Sequence, residues 1–222
     1  MGSQEIVFEK IKTDFQLLSK IVMKQLSYNK QLLGKNPDTS ILADVKTNEH
    51  LIDSLEVKLR SEVISSIVLY APRAIDLRKI IAYYDMTAYM ERIGDHLNNV
   101  AKRLMKLDRE GTIYQTIQPL LEKLFDVVDV MTQNAIFAFA CEDNLLAKKT
   151  IAADDRADLL HAQVMELLAE SSEGIALTKQ QLSDILQIGV LAANLERVGD
   201  NATNIAESAI YIIEGRDIKH HG

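Results

Sequence analysis

The chain has a single cysteine, Cys141, and no tryptophan among its 222 residues. One thiol excludes an intramolecular disulfide and any zinc site built from cysteines, so the chain is compatible with a reducing cytosol. Only three prolines and nine glycines interrupt it, which leaves long stretches free of helix breakers. No apolar run approaches the roughly 18 residues that would cross a bilayer, and the N-terminus lacks a signal-peptide pattern. A cytoplasmic location is expected. The net charge of −7 leaves no excess of Lys and Arg to neutralise phosphates, which ranks nucleic acid last among partners. What is present is an ordinary globular balance, 47% hydrophobic and 26% charged, with enough residues for one sizeable core or two smaller ones.

One segment occurs twice. Glu91-Arg-Ile-Gly-Asp-His-Leu-Asn-Asn-Val-Ala101 returns 105 positions later as Glu196-Arg-Val-Gly-Asp-Asn-Ala-Thr-Asn-Ile-Ala206, with six of eleven positions identical. A repeat at fixed offset sets the architecture before any single residue does. The offset runs without insertion back to Glu49, pairing Glu49 with Asp154, Asp53 with Asp158, Leu77 with Leu182 and Ile80 with Ile185.

Apolar residues at helical spacing (Phe8, Ile11, Phe15, Leu18, Val22, Leu26, Leu33) predict a helix over 3–33, closed by Gly34 and Pro37. A second periodic stretch from Ile41 reaches the corner at Tyr70-Ala-Pro72, and a third helix runs over about 72–108. Helices near 113–140, 143–171 and 178–213 repeat the plan. Thr178 and Gln181 have capping-box spacing, and Gly215 suits a C-terminal cap. The expected fold is all-α: six long antiparallel helices in two tandem three-helix-bundle repeats, 1–108 and 109–222.

Each half carries two acidic pairs at i, i+4: Glu49/Asp53 and Glu91/Asp95, then Asp154/Asp158 and Glu196/Asp200. Other such pairs, Glu5/Glu9, Glu122/Asp126 and Glu166/Glu170, have no counterpart in the opposite half. Like charges so placed cost roughly 0.2–0.5 kcal/mol per pair unless a cation lies between them. The midpoints of Glu49/Asp53 and Glu91/Asp95 lie 21 residues before and after Pro72. If the chain turns back there, the two pairs stand level about 30 Å from the corner, at about 1.5 Å per residue. Four carboxylates would converge in each half, a donor set for hard cations such as Mg²⁺, Ca²⁺, Mn²⁺ or iron. Asn99 and Asn204, four residues beyond Asp95 and Asp200, are candidate outer-shell groups.

The plain alternative is a solvated face, since Met90, Ile93, Leu97 and Leu104 share one arc and Glu91, Asp95 and Asn99 lie roughly opposite. Gly94 and Gly199 weigh against it. A mid-helix glycine costs about 1 kcal/mol relative to alanine, and here it recurs beside both acidic pairs. Either a neighbouring helix or a ligand needs the space. His50 and His161 lie near the pairs, His96 is replaced by Asn201, and His220 and His221 at the C-terminus are expected to be disordered.

Both copies of the repeated motif, Ala71-Pro-Arg-Ala-Ile-Asp-Leu-Arg78 at the first corner, and the ending Tyr211-Ile-Ile-Glu-Gly-Arg-Asp-Ile-Lys-His220 resemble the PhoU family. The resemblance implies a regulator of phosphate uptake that acts between the phosphate ABC transporter, through its ATPase subunit, and a sensor histidine kinase. Such a protein is peripheral to a membrane complex; long amphipathic bundles often pair, so a homodimer is expected, and the sequence has no nucleophile–base pair or phosphate loop, so no enzyme is expected. Some members of the family carry multinuclear iron or other metal clusters on Glu/Asp-x-x-x-Asp motifs, so iron, or else manganese, magnesium or zinc, is the metal expected here. Those motifs fall on Glu49/Asp53, Glu91/Asp95, Asp154/Asp158 and Glu196/Asp200. The second half has Ala176-Leu-Thr-Lys-Gln-Gln-Leu-Ser183 in place of the first corner, so a partner that reads the corner meets the first half alone.

Two alternatives stand beside this reading. A carboxylate-bridged dimetal enzyme would also use inward acids, but such sites pair Glu-x-x-His motifs, and the chain has none. A metal-free adaptor would turn the acids toward a basic partner surface. Removing the eight motif carboxylates would change the net charge from −7 to +1, which is a large electrostatic feature.

Overall fold

A computed structural model describes residues 3–34, 37–174 and 176–215. His220 and His221 and the end of the family-like C-terminal segment lie outside these. The described chain is helical, with no strand: α1 Ser3–Leu33, α2 Ile41–Tyr70, α3 Ala74–Leu104, α4 Thr112–Cys141, α5 Asn144–Ile151, α6 Asp154–Glu170 and α7 Lys179–Glu214. These are the six long helices of the sequence pattern, the fifth divided into α5 and α6. At the division Ala153 N bonds the Thr150 carbonyl and Arg156 N bonds the Ala153 carbonyl, both at 3.1 Å. These i, i+3 bonds tighten one turn and place Asp154 and Asp155 at the start of α6, where free N–H groups favour carboxylates.

Helix ends follow their residues. Thr178 and Gln181 form the capping box of α7, and Gly215 closes it in the left-handed region at φ 71°. At the first corner α2 ends on Ala71 at φ 43°. Pro72 precedes α3 rather than opening it, because Arg73 takes the N-cap position.

The buried face of α2 reads Ile41, Val45, Asn48, Ile52, Leu55, Leu59, Val63 and Ser66, steps of three or four that make a single helical stripe. It packs on α1 and α3, while α6 packs on α4 and α7, and α5 lies against α4 and α7. The two bundles are joined mainly through α3 and α7. These run antiparallel, since His96 meets Asn194 at 3.0 Å and Arg103 donates to Gln187 at 3.0 Å. Phe15, Tyr83 and Phe139, from α1, α3 and α4, form a ring trio with centroids 5.1–5.2 Å apart. The buried apolar residues make one continuous core. Each fully buried Leu or Ile in it contributes about 1.5–3 kcal/mol relative to an exposed one.

The halves also interlock through polar groups. Arg109 donates to the carbonyls of Leu32 and Gly34 at 2.7 and 2.9 Å, and the Tyr114 hydroxyl donates to Leu33 at 3.0 Å. These bonds satisfy the last carbonyls of α1, which have no partner inside the helix. One helix departs from the sequence expectation. Among the described residues, α4 is long and apolar enough to span a bilayer by composition, with a mean hydropathy of 1.4 in its most apolar window. Its buried residues, Ile117, Leu121, Leu124, Phe125, Val128 and Met131 among them, pack into the core.

Candidate functional site

Close approach of helices builds the candidate site. A Cβ placed on Gly94 would come within 2.8 Å of Ile52 Cδ1 and 3.2 Å of its Cγ2, so α2 lies directly over this position of α3. Of the two uses left open for the glycine, helix contact is the one the geometry exhibits. The face of α3 turned to α2 therefore includes Glu91, Gly94, Asp95 and Asn98. At the equivalent place Gly199 faces Ala157, Val128 and Met131, with an added Cβ at 3.4–3.7 Å from them.

Contact at the glycines brings carboxylates together. Oxygens of Asp53, Glu91 and Asp95 all lie within 4.8 Å of one another, and so do oxygens of Asp154, Asp158 and Asp200. Three of the four motif acids converge in each half, and a different one stays outside. In the first half it is Glu49, which accepts a hydrogen bond from the Asn98 amide and lies 3.9 Å from Lys102 Nζ. In the second it is Glu196, although its charge still acts on Asp200. Glu49 is one methylene longer than Asp154 and reaches past the cluster.

The clusters are electrostatically strained. Burial pushes the Glu91 carboxyl above the usual carboxylate range, and Asp95, Glu56 and Asp53 push further against Arg92. Burial likewise raises Asp154, assisted by Asp158, Asp200 and Asp155 and opposed by the Thr203 hydroxyl. Asp200 is raised by burial, Glu196 and Asp158, with Arg197 and His96 pulling the other way. Thr203 lies near enough to favour the charged form of Asp154, yet Asp154 Oδ1 and Thr203 Oγ1 are both buried without a completed hydrogen bond.

The outer-shell residues differ from the pair the spacing suggests. Asn99 is exposed, and the Asn204 amide donates to the Asp200 backbone carbonyl at 2.8 Å. The positions one residue earlier meet the acids: Asn98 at Glu49, and Thr203, its partner at the 105-residue offset, beside Asp154. Polar residues at both 98 and 203 were the available signal, and the i, i+4 rule passed over them because α2 crosses on the i+3 side. Glu56 is a second residue missed. It sits beside Glu91, held by Arg60 at 2.7 Å, and its counterpart by offset is His161. His50 is exposed and His161 half-buried. His96 bonds Asn194 across the α3–α7 seam.

Two triads of carboxylate oxygens can hold hard cations. The donor chemistry fits, and so does Asp154 Oδ1, a buried acceptor without a completed hydrogen bond.

Comparison with known proteins agrees with this architecture. The PhoU domain model matches residues 15–104 and again 121–209. A phosphate-specific transport system accessory protein PhoU homolog of Aquifex aeolicus is 30% identical over 213 residues, covering 96% of this chain and 93% of that one. The crystal structure of PhoU from Pseudomonas aeruginosa is 26% identical and superposes with a TM-score of 0.80, covering 96% and 99% of the two chains. The phosphate transport system regulatory protein PhoU from Streptococcus pneumoniae has the same fold, with a TM-score of 0.84 at 18% identity over 98% and 100%. A domain matched once in each half, with the repeated acidic motif inside both matches, means that this chain belongs to the PhoU family.

Proposed function

We propose that the chain is a cytoplasmic accessory regulator of phosphate uptake, an adaptor that acts on a phosphate-specific transport system rather than an enzyme. The observation that carries this reading is the end-to-end similarity to relatives named as accessory proteins of that system. In the finer reading its partners are the ATPase subunit of the phosphate ABC transporter and a sensor histidine kinase, the chain is a homodimer, and its repeats, 1–108 and 109–222, are the units of binding.

Metal binding is part of the proposal. Asp53, Glu91 and Asp95 would hold a cation in the first half, and Asp154, Asp158 and Asp200 in the second, with Glu49 and Glu196 one turn away. A bound cation would neutralise acids that α2, α3, α6 and α7 force together, and so tie those helices. Convergence of acids from separate helices and the buried Asp154 oxygen without a completed hydrogen bond support this over a solvated face.

Two measurements test the reading. Pull-down from cells grown in ample phosphate should recover the transporter ATPase or the kinase, and recovery of neither counts against the adaptor. Elemental analysis of protein purified without chelator or nickel should find stoichiometric metal that an Asp95→Asn/Asp200→Asn variant lacks. Well-folded wild type without metal would reassign the acids to a solvated or partner-binding face.

A further inference from the structure

The two carboxylate clusters are not electrically equivalent, and we infer that they form an unequal pair: the Asp154/Asp158/Asp200 cluster is a tight cation site, and the Asp53/Glu91/Asp95 cluster is a weak one balanced by cations of the chain itself. The inference rests on the metal-binding part of the function proposed above.

The first cluster brings its own positive charge. Lys102 lies 3.9 Å from Glu49, and the Asn98 amide satisfies that same carboxylate. Arg60 holds Glu56 at 2.7 Å, beside Glu91. Neither cation has a counterpart in the second half. At the 105-residue offset Lys102 becomes Glu207 and Arg60 becomes Met165, while Arg92 and Arg197 are common to both. The added charge near the second cluster is at most that of His96, which acts on Asp200, and the N-terminus of α6, equivalent to about half an elementary charge. That is less than the two whole charges it would have to match.

Unmet bonding points the same way. Glu49 already has an amide donor, whereas Asp154 Oδ1 and Thr203 Oγ1 are buried with no completed bond. A buried acceptor without a completed bond is unfavourable, and a cation held by Asp154 would offset that cost. Each cluster offers three carboxylates, so a cation is held more tightly where fewer positive charges surround them. The second cluster therefore loads first, and over a range of concentration the protein is half-loaded.

Titration of the chelator-stripped full chain with Mn²⁺, with free ion followed by electron paramagnetic resonance, tests this. Two classes of site are expected, with dissociation constants at least about ten-fold apart, a gap within reach of one or two neighbouring charges. Asp200→Asn should abolish the tight class and Asp95→Asn the weak one. Lys102→Glu, which copies Glu207 at a largely solvent-exposed side chain, should strengthen the weak class without touching the tight one. A single class of equal affinity, loss of the tight class in Asp95→Asn, or a Lys102→Glu variant with unchanged affinities would each overturn the inference while leaving metal binding in place. Folded wild type that binds no Mn²⁺ would overturn both.

Discussion

The two halves share a frame but fill it differently. In the first half α2 is continuous, Ile52 closes on Gly94, and the acids are interleaved with Lys102, Arg60 and Asn98. In the second the equivalent helix is broken just before Asp154, Ala157 faces Gly199 at an ordinary distance, and the acids lack those cations. The comparison separates what the architecture needs from what each copy adds. A glycine opposite a core residue, and acids on both sides of it, are common to both. The additional cations Lys102 and Arg60 and the tightness of packing belong to one copy.

Substitutions that exchange these features should expose the difference. The largest effect is expected at Ile52, which is 1% exposed: Ile52→Ala should cost about 2–5 kcal/mol in urea unfolding, as other buried Ile truncations do. In that background Gly94→Ala should stabilise by up to about 1 kcal/mol, because the pair then resembles Ala157 with Gly199. If Gly94→Ala costs the same with and without Ile52, the glycine serves something other than this contact.

Alone, Gly94→Ala should destabilise by about 1–2 kcal/mol, since overpacking a rigid β-branched neighbour outweighs the gain in helix propensity. Gly199→Ala has room and should stabilise by up to about 1 kcal/mol. Equal effects at the two glycines in parallel denaturation curves would remove the packing difference between the halves.

The corners make a smaller contrast. Thr178→Ala removes the hydroxyl that accepts from Gln181 N, while the backbone N–H of residue 178 still donates to the Gln181 side chain, and should lower stability by about 1 kcal/mol. Arg73 holds the matching position in the first half without a side-chain cap bond, and Arg73→Ala should stay within about 0.5 kcal/mol of wild type. A large loss at Arg73 would show that the first corner has its own structural anchor.

The smallest effect concerns pH. Glu91, Asp154 and Asp200 are raised in the folded chain by burial and neighbouring acids. The folded chain thus holds protons at pH values where the unfolded chain has released them. With chelator present, stability should rise as pH falls from above these raised values toward the ordinary carboxylate range, and the gain should be complete below it. Two of the three groups lie in the second half, so Asp154→Asn/Asp200→Asn should flatten the melting-temperature profile more than Glu91→Gln does. A profile left unchanged by all three substitutions would mean that the clusters are too hydrated to be strained.

Much of the fold was legible because helices announce themselves locally. Apolar spacing over α1 to α4 and α7, the Thr178 cap and Gly215 place those elements within a few residues of where they lie. The break at Ala152 and Ala153 was not legible, since two alanines favour helix and the tightened turn answers to packing. The register of α2 on α3 followed from counting residues about Pro72, which is why acids from both helices meet.

Which acids meet was decided only in three dimensions. Sequence offers Glu49 and Asp154 as equivalents, yet one turns to Asn98 and Lys102 while the other joins a cluster. Nor does sequence by itself select Asn98 and Thr203 over Asn99 and Asn204, a choice made by the side on which the neighbouring helix crosses. By itself the sequence determined a duplicated all-α chain with an acidic motif in each copy, because periodicity and repetition are properties of one helix at a time. The membership and charge balance of each cluster depend on side-chain reach and on neighbours distant in the chain, and tertiary packing alone brings those within bonding distance.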